Sequence, residues 1–256
     1  MTGFSHVALR LEPLHDRIVP SVSVVQTGGT LTINGDQHAN TVDIKDDGTP
    51  SGLTVSVDGT DYPVTGAVNM VVVKTRGGAD TVSYDLTGDY VGTTRTVEVL
   101  LGNGDDTFTA DLGHGIDAAS ILALQVNGGN GKDNLSVTGT GGGPVAGMLS
   151  VQLLGGNGMD SISFSYQAEV DGSLMLTADG GNGKDTIHGD VTAAADSTGS
   201  VLAQVLGKNG KDDLALSVTG DGLAGLSKLD ASVDGGHGKD AVTVTDNVLV
   251  LDAAKN

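Results

Sequence analysis

Aspartate closes a glycine-rich six-residue turn seven times in this chain of 256 residues. The fullest copies read Gly-Gly-Asn-Gly-Lys-Asp. The closing residues are Asp80, Asp106, Asp133, Asp160, Asp185, Asp212 and Asp240, and successive gaps are 26, 27, 27, 25, 27 and 28 residues. A nearly fixed period of this size is typical of a repeat architecture in which each copy stacks on the previous one. Stacking would place the seven aspartates in one row along an edge of the molecule.

The turns carry the oxygen types that bind Ca²⁺. Position four is glycine and position six is aspartate in every copy, and position three is asparagine in five. Glycine and asparagine tolerate positive φ, so such a turn can direct successive carbonyl groups inward. Ca²⁺ takes roughly six to eight oxygen ligands in flexible geometry, whereas Mg²⁺ requires a tight octahedron. One turn cannot supply that many oxygens, but two stacked turns can.

The sequence therefore predicts up to six calcium sites, one between each pair of neighbouring turns. The candidate ligands are Asp80, Asn103, Gly104, Asp106, Gly129, Asn130, Gly131, Asp133, Gly156, Asn157, Gly158, Asp160, Gly181, Asn182, Gly183, Asp185, Asn209, Gly210, Asp212, Gly236, His237, Gly238 and Asp240. An alternative needs no metal, because Asn and Asp side chains also cap backbone N–H groups in turns. That alternative is strongest for Thr75–Asp80 and Gly207–Asp212, where one or both of the first two glycines are missing.

Short alternating apolar runs between the turns predict β-strands. Each unit from residue 69 reads strand, turn, second strand and a variable link. Apolar residues stand nine and seven positions before each aspartate and two positions after it, as Val97, Val99 and Phe108 do around Asp106. These ladders predict an all-β, right-handed parallel β-solenoid, similar to a β-roll or β-helix. Consecutive antiparallel hairpins in a barrel are disfavoured, because a six-residue turn is long for a tight hairpin.

Three segments are expected along the chain. Residues 1–20 read as a disordered leader, and residues 21–74 as an N-terminal β cap with an inserted hairpin around Asp58–Asp61. Residues 75–256 form the calcium-binding repeat solenoid, in which Val248–Leu251 is expected to be a closing strand. A solenoid needs such atypical ends because its terminal strands otherwise present open edges.

Composition excludes several function classes. The net charge of −19 argues against nucleic acid and anionic lipid as partners, since both attract basic surfaces. It also favours cation binding, because a strongly acidic surface repels itself. Cysteine is absent, so the fold has no disulfides. No apolar run approaches the ~20 residues of a transmembrane helix, and we expect no membrane insertion.

The repeats resemble the RTX, or hemolysin-type, calcium-binding family, whose nonapeptide is Gly-Gly-x-Gly-x-Asp-x-apolar-x. Gly180–His188 and Gly128–Ser136 fit throughout, and the likeness covers residues 75–244 and more loosely 30–74. It implies Ca²⁺ as the cofactor, a β-roll fold, secretion, and an extracellular or cell-surface location. Two features depart from the family. Only one turn occurs per coil of about 27 residues, and lysine occupies position five in four copies.

We therefore expect a calcium-binding structural or adhesive repeat module of an exported bacterial protein, with an unidentified cell-surface or glycan partner. One alternative is a metal-free structural β-solenoid, and another is a polysaccharide-active β-helix enzyme. Catalysis is not expected, because the acids mostly follow the repeat, aromatic residues do not cluster, and His114 and His188 stand isolated.

Overall fold

The computed structural model describes residues 22–246, which form stacked coils of parallel β-strands. The predicted all-β parallel solenoid is confirmed, with about seven turns. Within the described range there is one short 3₁₀ helix, Leu223–Gly225, and no helix suited to crossing a membrane. The leader expected at residues 1–20 and the closing strand expected at Val248–Leu251 lie outside the described residues.

Short strands make up most of residues 22–246. The first seven are β1 (Ser23–Thr27), β2 (Thr30–Asn34), β3 (Thr41–Asp46), β4 (Leu53–Val57), β5 (Thr60–Tyr62), β6 (Met70–Lys74) and β7 (Thr81–Leu86). The next seven are β8 (Thr94–Asn103), β9 (Thr107–Asp111), β10 (Ile121–Gly131), β11 (Asn134–Thr140), β12 (Met148–Gly158), β13 (Ser161–Ala168) and β14 (Ser173–Gly183). The last seven are β15 (Thr186–Ala193), β16 (Ser200–Leu206), β17 (Asn209–Gly210), β18 (Asp213–Thr219), β19 (Lys228–Asp234), β20 (His237–Gly238) and β21 (Ala241–Asp246).

Two long sheets run along the stack, and each coil contributes one strand to each of them. Sheet A has the order β1-β2-β6-β8-β10-β12-β14-β16-β19, with β17 beside β14 and β20 beside β17. Sheet B has the order β21-β18-β15-β13-β11-β9-β7-β3-β4-β5. Pairing between successive coils is parallel and in register, so that Val126 lies opposite both Val99 and Leu153. Equivalent residues of the repeat therefore form straight columns.

The core lies between the two sheets and consists of the predicted apolar columns. Val97, Val99 and Phe108 are completely buried, as alternation along a strand requires. The last described coil departs from this pattern, because Val242 on β21 is 45 % exposed and no described coil lies beyond it.

The links between units contribute buried, hydrogen-bonded residues to the fold, although their sequences are variable. Single parallel bridges join Tyr90 to Ile116, Ile116 to Val145, and Val145 to Val170. All four side chains are buried. The links thus add a third apolar column that closes the side of the solenoid opposite the glycine turns.

Antiparallel strands close the N-terminal end. Strand β1 pairs antiparallel with β2, and β3, β4 and β5 form an antiparallel meander at the end of sheet B. The hairpin turn is Asp58-Gly59, with φ of 49° and 72°, which suits a tight two-residue connection. The second hairpin strand consequently begins at Thr60, within the Asp58–Asp61 segment where the hairpin was expected. These strands interrupt the parallel stacking and cover the edge of the first coil.

A buried ion pair fastens this cap to the core. The guanidinium of Arg95 on β8 is fully buried and pairs with Asp46 at the end of β3. The hydroxyl groups of Tyr84 and Tyr90 also donate to Asp46. Nε of Arg95 donates to the backbone carbonyl of Val68, and Nη2 donates to those of Thr49 and Pro50. Sequence reasoning missed this cluster, because its members are about 40 to 50 residues apart and lie outside the repeat motif.

We expect Arg95→Met to destabilise the chain by about 3–5 kcal/mol, because it leaves the buried Asp46 carboxylate without its counter-charge. Adding Asp46→Asn should recover part of the loss, since an amide oxygen still accepts from the two tyrosines without a charge. Urea unfolding of the two single variants and the double variant measures this coupling. Additive losses would contradict a coupled buried pair.

Candidate functional site

The glycine turns are tighter than their length suggested. Strand β12 continues through position four, Gly158, and β13 begins at Ser161. Only Met159 and Asp160 lie between the two strands, so the first four turn residues extend sheet A and the chain changes sheets at positions five and six. Only the last two residues of the six-residue motif therefore connect the two sheets in this coil. The in-register stacking keeps the first four residues within the sheet.

Glycine at position four is required by how closely the coils approach. Gly158 has φ of 152°, and a Cβ on it would lie 1.6 Å from the carbonyl oxygen of Gly131 in the coil before. Equivalent clashes would occur at Gly104, Gly131, Gly183, Gly210 and Gly238. No other residue type fits a position where one coil's carbonyl points at the next coil's Cα.

Turn carbonyls are used between coils rather than pointed inward. The N–H of Asn103 donates to Arg76 O at 2.8 Å, and the N–H of Gly104 donates to Asn130 O at 2.8 Å. The expectation of inward carbonyls is therefore wrong for these positions two and three. The same hydrogen bonds that pair the strands extend through the turn and orient its carbonyls along the stack.

The aspartates at position six do form one row. Each Oδ1 accepts a hydrogen bond from the backbone N–H of the position-six residue in the preceding coil. The N–H of Asn40 donates to Asp80, and that of Asp80 donates to Asp106, each at 2.7 Å. The next four bonds are each 2.9 Å long and run from Asp106 to Asp133, from Asp133 to Asp160, from Asp160 to Asp185 and from Asp185 to Asp212. The last runs from Asp212 to Asp240 at 3.0 Å. This half of each carboxylate makes the backbone cap that the metal-free alternative requires.

The second carboxylate oxygens have a different environment. Oδ2 is buried and has no hydrogen-bond partner among the described residues at Asp80, Asp106, Asp133, Asp160, Asp185 and Asp212. These six residues are at most 2 % exposed. An unpaired buried oxygen of this kind carries a large desolvation cost, and more if it is charged. A proton or a cation at Oδ2 would offset that cost.

Position-one glycine makes room for this oxygen beside a carbonyl of the next coil. A Cβ on Gly155 would lie 2.5 Å from Asp160 Oδ2 and 2.6 Å from the carbonyl oxygen of Gly180. The equivalent oxygens, Asp212 Oδ2 and Gly235 O, would each lie 2.7 Å from a Cβ on Gly207. Sequence reasoning did not include position one among the ligands, although the recurrent glycine there was the available signal.

Burial raises the pKa of these carboxyl groups. The pKa of Asp133 is raised to about 7, and those of Asp106 and Asp185 to about 6. For Asp133, burial is the main cause, the N–H donated by Asp106 opposes it, and the neighbouring carboxylates add to it. Asp80, Asp160 and Asp212 have raised pKa values in the same direction, again chiefly through burial.

The asparagines at position three form a separate, exposed row. The Nδ2 groups of Asn130, Asn157, Asn182 and Asn209 donate to Oδ1 of the preceding asparagine, starting from Asn103, at 2.8, 2.8, 2.8 and 2.9 Å. His237 takes this position in the last turn and is exposed. Side chains at positions three and six therefore do not converge, and the amides bind each other.

The donor set fits Ca²⁺ in kind. Oδ2 and the position-one carbonyl are hard oxygen atoms of the type that this ion takes. No group of three or more His, Cys, Asp or Glu side chains within residues 22–246 is placed to hold a metal, so a bound ion would depend on main-chain oxygens as well. The position-five lysines, such as Lys132 and Lys184, are exposed, whereas Oδ2 is buried.

Two histidines outside the turns have carboxylate neighbours. Nε2 of His188 lies 2.7 Å from Asp190 Oδ2, and Nδ1 of His114 lies 3.5 Å from Asp89 Oδ1. The expectation that they stand isolated is wrong, because link and strand residues off the motif supply the partners. Both histidine side chains are exposed.

Alanine at position four tests the close approach of the coils. We expect Gly158→Ala to cost clearly more than the ~1–2 kcal/mol of a left-handed conformation, because its Cβ also clashes with Gly131 O. Gly141→Ala is the matched control, since Gly141 has φ of 76° and no atom within 4 Å of the added carbon. Equal losses of unfolding free energy would show that the contact between coils is unimportant.

The aspartate row predicts an unusual pH dependence in EDTA. Carboxyl groups with a pKa near 6 to 7 when folded, against an ordinary 3.8, bind protons more tightly in the folded state. Their contribution to stability is complete below about pH 4 and falls as pH rises towards 7. We expect the free energy of unfolding in urea to decrease over that range, and Asp133→Asn to decrease less. An increase with pH would contradict the buried environment of the row.

Comparison of the chain with protein-family models, with curated proteins and with solved structures gives no match. The functional assignment therefore depends on the chain's own residues and their geometry.

Proposed function

We propose that this chain is a structural β-solenoid module that binds Ca²⁺ along its buried aspartate row. The solenoid itself fits a structural repeat protein. The observation that supports calcium is the row of six Oδ2 atoms, each buried and without a hydrogen-bond partner among the described residues. We further propose that the module acts by binding rather than by catalysis.

The argument for a cation is electrostatic. Asp160 Oδ2 and Gly180 O face the same small volume beside Gly155, and both atoms carry negative charge or partial charge. A cation between them would turn a repulsive arrangement into an attractive one. Because one oxygen belongs to each of two successive coils, the ion would also join those coils. The chain's net charge of −19 adds a general attraction for cations.

Calcium binding would couple to folding. Ions held by the folded row and not by the unfolded chain stabilise the fold by mass action. The effect would be large where calcium is millimolar, as outside cells, and this agrees with the proposed role as a part of an exported, extracellular or cell-surface protein. An adhesive role towards a surface or glycan partner belongs to the same proposal.

A second candidate is a scaffold that needs no metal. It is favoured by two sets of hydrogen bonds that join successive coils directly. Seven run from backbone N–H groups to aspartate Oδ1 atoms, and four run between the side-chain amides of the asparagine row. In that case burial, which raises the pKa of these carboxyl groups, would favour their protonated form, and a protonated Oδ2 would act as a donor instead of a cation ligand.

Thermal melting with Ca²⁺, Mg²⁺ or EDTA, together with calorimetric titration of Ca²⁺, separates the two candidates. We expect calcium to raise the melting temperature more than magnesium, with several ions bound per chain. A site filled at 100 times its Kd contributes about 2.7 kcal/mol. Asp133→Asn should lower the number of ions bound, whereas Asp190→Asn, an exposed carboxylate off the row, should leave it unchanged.

The contrary result is equally specific. Identical melting in calcium and EDTA, with no binding heat, would reject calcium in favour of the metal-free scaffold. Asp133→Asn should then raise the melting temperature at pH 8, because an amide replaces a buried carboxylate without losing the bond from the Asp106 N–H.

A further inference from the structure

The outer surface of sheet A carries several large aliphatic side chains, of which Ile121 is 39 % exposed and the others are half-buried. We define face A as the outward residues that precede the glycine turn on β8, β10, β12, β14 and β16, which are four on each of the five strands, or twenty in all. Eight of the twenty are apolar: Leu100, Ile121, Ala123, Met148, Leu154, Met175, Leu202 and Leu206. Only Glu98 and Asp179 are charged, and Asp179 pairs with Lys208 at 3.4 Å.

The opposite surface provides an internal comparison. The outward residues of β9, β11, β13, β15 and β18 on sheet B are almost all serine, threonine and other polar types, and Ala215 is the one aliphatic residue among them. Both sheets have the same parallel backbone and share one core. The solenoid fold therefore does not require the aliphatic residues of face A.

The aliphatic residues of face A are spaced rather than clustered. Leu100, Leu154 and Leu206 share one column, in which Asn127 and Asp179 occupy the intervening strands. Since adjacent strands are about 4.8 Å apart, neighbouring leucines are about 10 Å apart. Such an alternation of large and shorter side chains suits a second sheet packed at the usual face-to-face distance of about 10 Å.

We propose that face A is the docking surface for a second copy of this chain. Charge favours this surface, because two copies with a net charge of −19 each repel one another least where few carboxylates meet, and of the two carboxylates on face A, Asp179 is paired with Lys208. The outward positions of sheet B, in contrast, include Asp111, Asp190 and Asp213.

The size of face A agrees with a modest dimer. Five strands cover about 24 Å across the sheet, and seven residues span about 23 Å along it. Each copy would contribute about 550 Å², or about 1,100 Å² in total, near the lower limit for specific interfaces. A two-fold axis that lies in the interface above β12 would place this strand against its equivalent in the second copy, as a symmetric dimer requires. We therefore expect association that depends on concentration.

Sedimentation velocity of the full chain over a concentration series tests the proposal, in both EDTA and Ca²⁺ so that the result is independent of the calcium proposal. We expect a monomer–dimer equilibrium for the wild type. Leu154→Glu should raise its Kd at least tenfold, because it puts a charge at the centre of the face. Ser163→Glu, on sheet B of the same coil, should change the Kd less than twofold. Added NaCl should strengthen the association by screening the net charge.

Circular dichroism and melting check that each variant is folded. If Leu154→Glu does not fold, the pair Leu154→Ser and Leu202→Ser removes the aliphatic groups without adding charge, and it should also raise the Kd at least tenfold. A wild type that remains monomeric at several hundred micromolar would overturn the proposal. A dimer weakened equally by Ser163→Glu and Leu154→Glu would overturn it too, because association would then not depend on face A.

Discussion

The close, in-register stacking of coils is the constraint on which the rest of this structure depends. Stacked parallel strands about 4.8 Å apart leave no room for a side chain at position four of the turn. Gly131 and Gly158 illustrate this, since a carbonyl oxygen of one coil points at the Cα of the next. Because every coil obeys the same constraint, the turn must have nearly the same residues each time. The sequence repeat follows from the repeated contact.

Stacking also determines what the aspartates do. In an isolated turn the carboxylate would cap N–H groups of its own backbone or face water. In the stack, Oδ1 of Asp160 is taken by the N–H of Asp133, and Oδ2 is buried beside the next coil. Stacking therefore gives each Oδ1 a hydrogen bond to the preceding coil, but it leaves Oδ2 buried without a hydrogen-bond partner. That unpaired half of each carboxylate is the feature on which our proposal of cation binding depends.

The ends and surfaces follow other rules than the repeat. The cap is held by the single Arg95–Asp46 pair and two tyrosines, a cluster with no periodic counterpart among the described coils. The two outer faces differ although their backbones match, with Leu154 on one and Ser163 on the other. Neither feature is needed to stack coils. Each reflects what the solenoid requires at its end and, on our proposal, what it meets at its surface.

The sequence by itself determined the solenoid, its core columns and the aspartate row, because period, alternation and motif are local patterns repeated many times. Val97, Phe108 and Asp133 lie where those patterns place them. The tertiary structure alone decided which oxygens are used and which are left over. It separated the asparagine row from the aspartate row, directed turn carbonyls to neighbouring coils, and brought Arg95 to Asp46. These outcomes depend on contacts between coils 25 to 50 residues apart, whose directions no single repeat encodes.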